Sequence, residues 1–162
     1  MITPSIIWNP PYTPLSAFDS ALKDAGVFNY NLIRLSSVIP KGAVLKRQKY
    51  ETDNSEHGYK LYIVKAEMRS REPGKYIGAG IGWHQLPDGR GVFVEHETID
   101  QTEEIVESTL KKDINDSLTD LCISRKYMIP KRGFEMEINV MRVENSPSSI
   151  LVLAVYQSQN WS

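Results

Sequence analysis

Three glycines spaced two apart, in Ile77-Gly-Ala-Gly-Ile-Gly-Trp83, narrow the folds open to this chain more than any other stretch. Successive side chains of an extended strand point to opposite faces, so Gly78, Gly80 and Gly82 leave one face bare and let another layer approach closely. Such a run marks a dinucleotide site only when a helix follows it directly. Here Pro87-Asp-Gly89 turns the chain into a second strand, Gly91-Val-Phe-Val-Glu-His-Glu97. The pattern predicts two neighbouring strands with close contact between sheets on the glycine face. Val92, Val94 and His96 share one side of the second strand, and Phe93, Glu95 and Glu97 the other, which aims Glu95 at a packed layer.

The remaining elements fit around these two strands. Ser5-Ile-Ile-Trp8 reads as a strand broken by Asn9-Pro-Pro-Tyr12. Thr13 as N-cap, Pro14 in the first turn, an apolar face of Leu15, Phe18, Ala21, Leu22 and Ala25, and Gly26 at the end define a helix, with Asp19 a solvated carboxylate beside that face. Val27 to Ile39 reads as one strand, stopped by Pro40 and Gly42, with the adjacent serines Ser36 and Ser37 near its end. Residues 46–58 form a polar loop. Tyr59 to Met68 and Tyr76 to Gln85 are strands around a Pro73-Gly74 turn. Asp100 and Glu103 make a capping box for a long helix whose stripe is Val106, Leu110, Ile114, Leu118, Leu121 and Cys122. Phe134–Val143 and Ser149–Tyr156 close the chain as a predicted hairpin around Asn145-Ser-Pro147. The order implies an α+β class, with repeated strand-helix-strand-strand halves whose helices cover antiparallel or mixed sheets.

The 162 residues suit one domain, 1–162. A net charge of −1 supplies no general attraction for nucleic acid or an anionic membrane surface. The single cysteine, Cys122, lies in an apolar helical pattern and reads as a core residue of a soluble, cytoplasmic protein. No basic leader is visible, and no apolar run approaches the roughly 18 residues of a membrane span. The three histidines, His57, His84 and His96, have no close ligand spacing, so a zinc-dependent hydrolase has little support and no metal is expected. Gly-x-Ser-x-Gly is absent. A serine pair alone is usually an ordinary strand end, because hydroxyls bond readily to nearby backbone.

Thr13-Pro-Leu-Ser-Ala-Phe-Asp19, Ala25-Gly26, Asn31-Leu-Ile-Arg-Leu-Ser-Ser37 and Gly91-Val-Phe-Val-Glu95 together resemble the pyruvoyl-dependent arginine decarboxylases, over nearly the whole chain. The resemblance implies a four-layer α/β/β/α sandwich, assembled as a homotrimer or a dimer of trimers with active sites between subunits. It implies self-cleavage into 1–36 and 37–162: the Ser37 hydroxyl attacks the Ser36 carbonyl, the resulting ester eliminates, and hydrolysis leaves a pyruvoyl group in place of Ser37. That ketone forms a Schiff base with the amine of L-arginine and takes up the electron pair left by carbon dioxide, giving agmatine without pyridoxal phosphate. By the same resemblance Asn31 assists autoprocessing through its amide, Glu95 donates the proton and Asp19 binds the guanidinium. Aromatics in Val27-Phe-Asn-Tyr30 depart from the smaller residues expected there, which keeps histidine in view as an alternative substrate. A non-catalytic homologue serving as an assembly or interaction module is the alternative of another class.

Overall fold

The computed structural model describes residues 1–6 and 13–162, with the side chains of Ser5 and Ile6 left aside. The predicted break at Asn9–Tyr12 and the end of the predicted first strand lie outside the described residues. The elements are β1 (Ile2–Ile6), α1 (Pro14–Asp24), β2 (Asn31–Arg34), β3 (Val38–Ile39), β4 (Lys60–Ser70), β5 (Tyr76–Gln85), β6 (Gly91–Asp100), α2 (Glu103–Arg125), β7 (Glu135–Arg142) and β8 (Ser148–Gln159). A single 3₁₀ turn, Asn54–Glu56, interrupts the polar loop.

The strands form two four-stranded sheets, ordered β1-β8-β4-β2 and β3-β6-β5-β7. The first is mixed, because β2 runs parallel to β4, and the second is antiparallel throughout. Between them lies a layer of alternate residues from both sheets, including Val64, Ile77, Ile81, Phe93, Ile150 and Val152. The opposite face of the first sheet, with Leu61, Leu151 and Leu153, receives Ala21 of α1 and Ala25 at its C-cap. Val92 and Val94 on the opposite face of the second sheet meet Ile114 and Leu118 of α2. The result is the α/β/β/α sandwich of an α+β protein.

The glycine face departs from expectation in its partner. Ile77, Ala79, Ile81 and Trp83 supply the contact between sheets, while Gly78, Gly80 and Gly82 face α2. A Cβ on Gly82 would lie 2.2 Å from Ile114 Cγ2, and one on Gly78 would lie 2.4 Å from Val106 Cγ1. The bare strip is thus the bed on which the long helix lies. The helix itself starts later than its sequence suggests: Thr102 is the N-cap, accepting from the Ile105 amide, because Asp100 is still the last residue of β6 and accepts from the amide of Gln101. Its buried stripe of Val106, Leu110, Ile114, Leu118 and Cys122 is as predicted, with Leu121 at the margin.

In α1, Thr13 caps the helix, Pro14 opens it and Gly26 follows it at φ 76°. Ala17 replaces Leu15 on the buried face; Leu15 is 71% exposed, since a face built on Ala17, Ala21 and Ala25 lets the helix lie close to the sheet. The closing strands are not a hairpin: β7 pairs with β5 and β8 with β4 and β1, so Asn145-Ser-Pro147 carries the chain from one sheet to the other. The expected strand-helix-strand-strand unit occurs twice in the element order, as β1-α1-β2-β3 and β6-α2-β7-β8, with β4 and β5 between the two.

Candidate active site

The predicted strand Val27–Ile39 is two short strands in different sheets, and the serine pair is the crossing between them. The Leu35 amide donates to Ile63 of β4 at 2.8 Å, continuing the first sheet. The Phe93 amide of β6 donates to the Ser37 carbonyl at 2.8 Å, beginning the second. Ser36 alone stands between these two bonds. To make so abrupt a crossing, Ser37 adopts φ 65°, left-handed backbone that costs a non-glycine residue about 1–2 kcal/mol.

The strained residue is held by its side chain as well. Ser37 Oγ donates to Glu95 Oε1 at 2.5 Å, within the range of a charge-assisted O–H to carboxylate bond. Glu95 has the parity of Phe93 on β6 and therefore faces the layer between the sheets, where it is half-buried. Tyr156 arrives from β8 in the other sheet, donating its hydroxyl to the Val38 carbonyl at 3.0 Å and setting its ring edge-on to Phe93 with centroids 6.2 Å apart. Burial and then the neighbouring Glu95 charge push the Tyr156 phenol up to about 12, so it remains a proton donor at neutral pH.

A cavity of about 370 Å³ opens on this group. Ser36, Ser37 and Glu95 line one part of it, and Ser117 and Arg125 of α2 another. His96, on the opposite face of β6 from Glu95, shares a hydrogen bond of 2.9 Å with Ser117 Oγ. Among the described residues, no three His, Cys, Asp or Glu side chains gather to hold a metal ion. His84 packs against Phe134 and Tyr127, and His57 ends the 3₁₀ turn.

The fold thus brings Ser36, Ser37 and Glu95 together, while two other expected site residues stand apart. Asn31 begins β2 and donates Nδ2 to the Gly58 carbonyl at 2.6 Å. Asp19 is exposed on α1, across the first sheet from that layer, and does not line the cavity of its own chain. Tyr30, one of the two unexpected aromatics, is buried among the residues beneath α1, where its hydroxyl donates to Glu56 at 2.8 Å; it does not line the cavity. Tyr156, Ser117 and Arg125 were not anticipated. Alternation with Ile150, Val152 and Ala154 does put Tyr156 on the inward face of its strand, but which sheet it meets depends on pairings distant in sequence.

The sequence profile of the pyruvoyl-dependent arginine decarboxylases matches residues 8–160. Individual proteins of that name match shorter or more divergent stretches. One from Halobacterium salinarum is 37% identical over 99 residues, 60% of this chain and 60% of its own length. One from Pyrococcus abyssi is 36% identical over 105 residues, 62% of this chain and 65% of the relative. One from Thermoplasma volcanium is 27% identical over 148 residues, 88% and 81% of the two chains. The chain therefore spans about three-fifths of the length of the Halobacterium relative it matches.

Proposed function

The chain belongs to the pyruvoyl-dependent arginine decarboxylase family, and we propose that it cuts itself between Ser36 and Ser37 and then converts L-arginine to agmatine and carbon dioxide. The observation that carries this reading is the Ser37 hydroxyl bonded to the Glu95 carboxylate on a residue in strained backbone. A carboxylate accepting the hydroxyl proton makes Oγ a nucleophile. Oγ bonds to the Ser36 carbonyl carbon, the Ser36–Ser37 amide bond breaks, and the Ser37 nitrogen takes a proton. Loss of the Ser37 α-proton then breaks the new ester, releasing Ser36 as a carboxylate. Water converts the dehydroalanine at 37 to pyruvoyl, with loss of ammonia.

The surroundings fit that group. It lacks the φ torsion that strains Ser37 and needs no amide donor at that position, while the Ser37 carbonyl keeps its bond from the Phe93 amide. The pyruvoyl ketone supplies an electron sink for the substrate amine, so pyridoxal phosphate is not required. Glu95, freed from the serine hydroxyl, stands at the cavity wall to deliver a proton to the substrate α-carbon. Asp19 accepts the guanidinium through two parallel hydrogen bonds, from a neighbouring protomer of a homotrimer or a dimer of trimers, since it lies outside its own chain's cavity. Asn31 assists the cut by exchanging the Gly58 carbonyl for the oxygen that gains charge at Ser36. The working unit is one domain, 1–162, cleaved to 1–36 and 37–162, acting in the cytoplasm on a free amino acid. No helix of the described residues is long and apolar enough to cross a membrane.

Arginine is favoured over histidine by the family match, and neither Phe28, which is exposed, nor Tyr30, which is committed to the core, lines this chain's cavity. Purified protein given either amino acid should form agmatine from arginine and far less histamine from histidine. Cleaved protein that releases no carbon dioxide from arginine would overturn the substrate assignment.

A further inference from the structure

We infer that Tyr156 is a positioning residue for self-cleavage: its hydroxyl, reaching across from the other sheet, holds the Val38 carbonyl so that Ser37 stays in the left-handed conformation from which Oγ attacks Ser36. The inference rests on the proposed self-cleavage and goes beyond it by naming what maintains the strain. β3 has only two residues, paired as Val38 with Val92 and Ile39 with Gly91, and so short a ladder is weak support for unfavourable backbone immediately before it. Two carbonyls in succession are therefore tied down. Phe93 donates its amide to the first, at Ser37, and Tyr156 donates its hydroxyl to the second, at Val38. The two ties are themselves joined, since the Tyr156 ring rests edge-on against Phe93. They also come from different sheets, so relaxation of Ser37 requires the sheets to shift or a bond to break. Burial and the neighbouring Glu95 charge push the phenol up to about 12, so the hydroxyl keeps its proton for the Val38 carbonyl at neutral pH.

The same bond matters after the acyl shift. Once the Ser36–Ser37 amide is gone, residue 37 is connected to Ser36 only through the ester at its own side chain. Held by Val38, it keeps its α-proton oriented for elimination. Released, it leaves the ester to water, which adds to the ester carbonyl, expels Oγ and leaves Ser37 with an ordinary amine and a free hydroxyl. Tyr156 thus governs both how fast the chain is cut and which terminus results.

The test is a time course of intact mass on freshly synthesised wild type and Tyr156→Phe, at a temperature where both precursors are folded, as judged by melting each in a Ser37→Ala background. Loss of one neutral hydrogen bond predicts cleavage slowed by roughly threefold to tenfold. It also predicts a larger share of 37–162 fragments beginning with serine rather than pyruvoyl. Tyr62→Phe, which removes a hydroxyl bonded to Gln159 on the surface, should match wild type in both measures. Equal rates and equal termini in wild type and Tyr156→Phe would overturn the inference. Failure of wild type itself to cleave would overturn the proposed function instead.

Discussion

Ser37 combines two properties that ordinary serines keep apart. Its backbone occupies a region favoured by glycine, and its hydroxyl is bonded to a half-buried carboxylate. The first favours any step that releases the backbone, and the second makes the hydroxyl reactive, so both act in the direction of cleavage. In the proposed reaction Glu95 serves twice at one place: as acceptor for a proton of the uncut chain, and as donor to substrate once the hydroxyl is gone. A glutamine would retain the shape and the hydrogen-bonding capacity but carry no transferable proton. Glu95→Gln, assayed on the cleaved fraction, is therefore expected to lower kcat by roughly 10²–10⁴-fold, with a much smaller change in KM. Full turnover by that variant would remove Glu95 from proton transfer.

Among the elements, the hairpin of β5 and β6 was the most legible. Its ends at Gln85 and Gly91 follow from the Pro87-Asp-Gly89 turn, and alternation correctly turned Glu95 toward a packed layer. The stripe of α2 was equally clear from its spacing. What alternation could not tell was the partner of each face, because β-pairing joins residues far apart in sequence. The glycine strip could have met a second sheet but meets α2, and the final two strands, adjacent in sequence, belong to different sheets. The serine crossing was hidden for the same reason: apolar residues on both sides resemble one strand until Ile63 and Phe93 claim different ends of it. Family resemblance gave Ser37 and Glu95 each a role, but their hydrogen bond was not legible, since the residues lie 58 positions apart. The glycine bed carries its own prediction. Gly82→Ala must displace Ile114, and overpacking of this kind costs about 1–3 kcal/mol. Gly80→Ala, whose new Cβ would meet side chains at 3.0 Å, should cost less. Urea unfolding of both variants checks the order, and equal midpoints would contradict the seating of α2 on this strip.

At the scale of the whole molecule, the proposed cut lies where the architecture can tolerate it. The 1–36 segment keeps β1 beside β8 and β2 beside β4, so it stays stitched into the first sheet after the chain is severed. The 37–162 segment keeps β3 on β6 and every later element, while α1 stays with the 1–36 segment. The Ser36–Ser37 peptide belongs to neither sheet; it is the crossing between them, and no backbone ladder would have to be dismantled if it opened. A sandwich of two sheets, each retaining pieces from both sides of the cut, can therefore make its reactive group after folding and hold it in place afterwards. The most direct measurement is the intact mass of the purified protein under denaturing conditions, beside Ser37→Ala. Two fragments corresponding to 1–36 and 37–162, the larger without an ordinary N-terminal amine, and a single uncut chain for Ser37→Ala are the expected result. A wild-type protein that remains one chain of 162 residues would contradict the account.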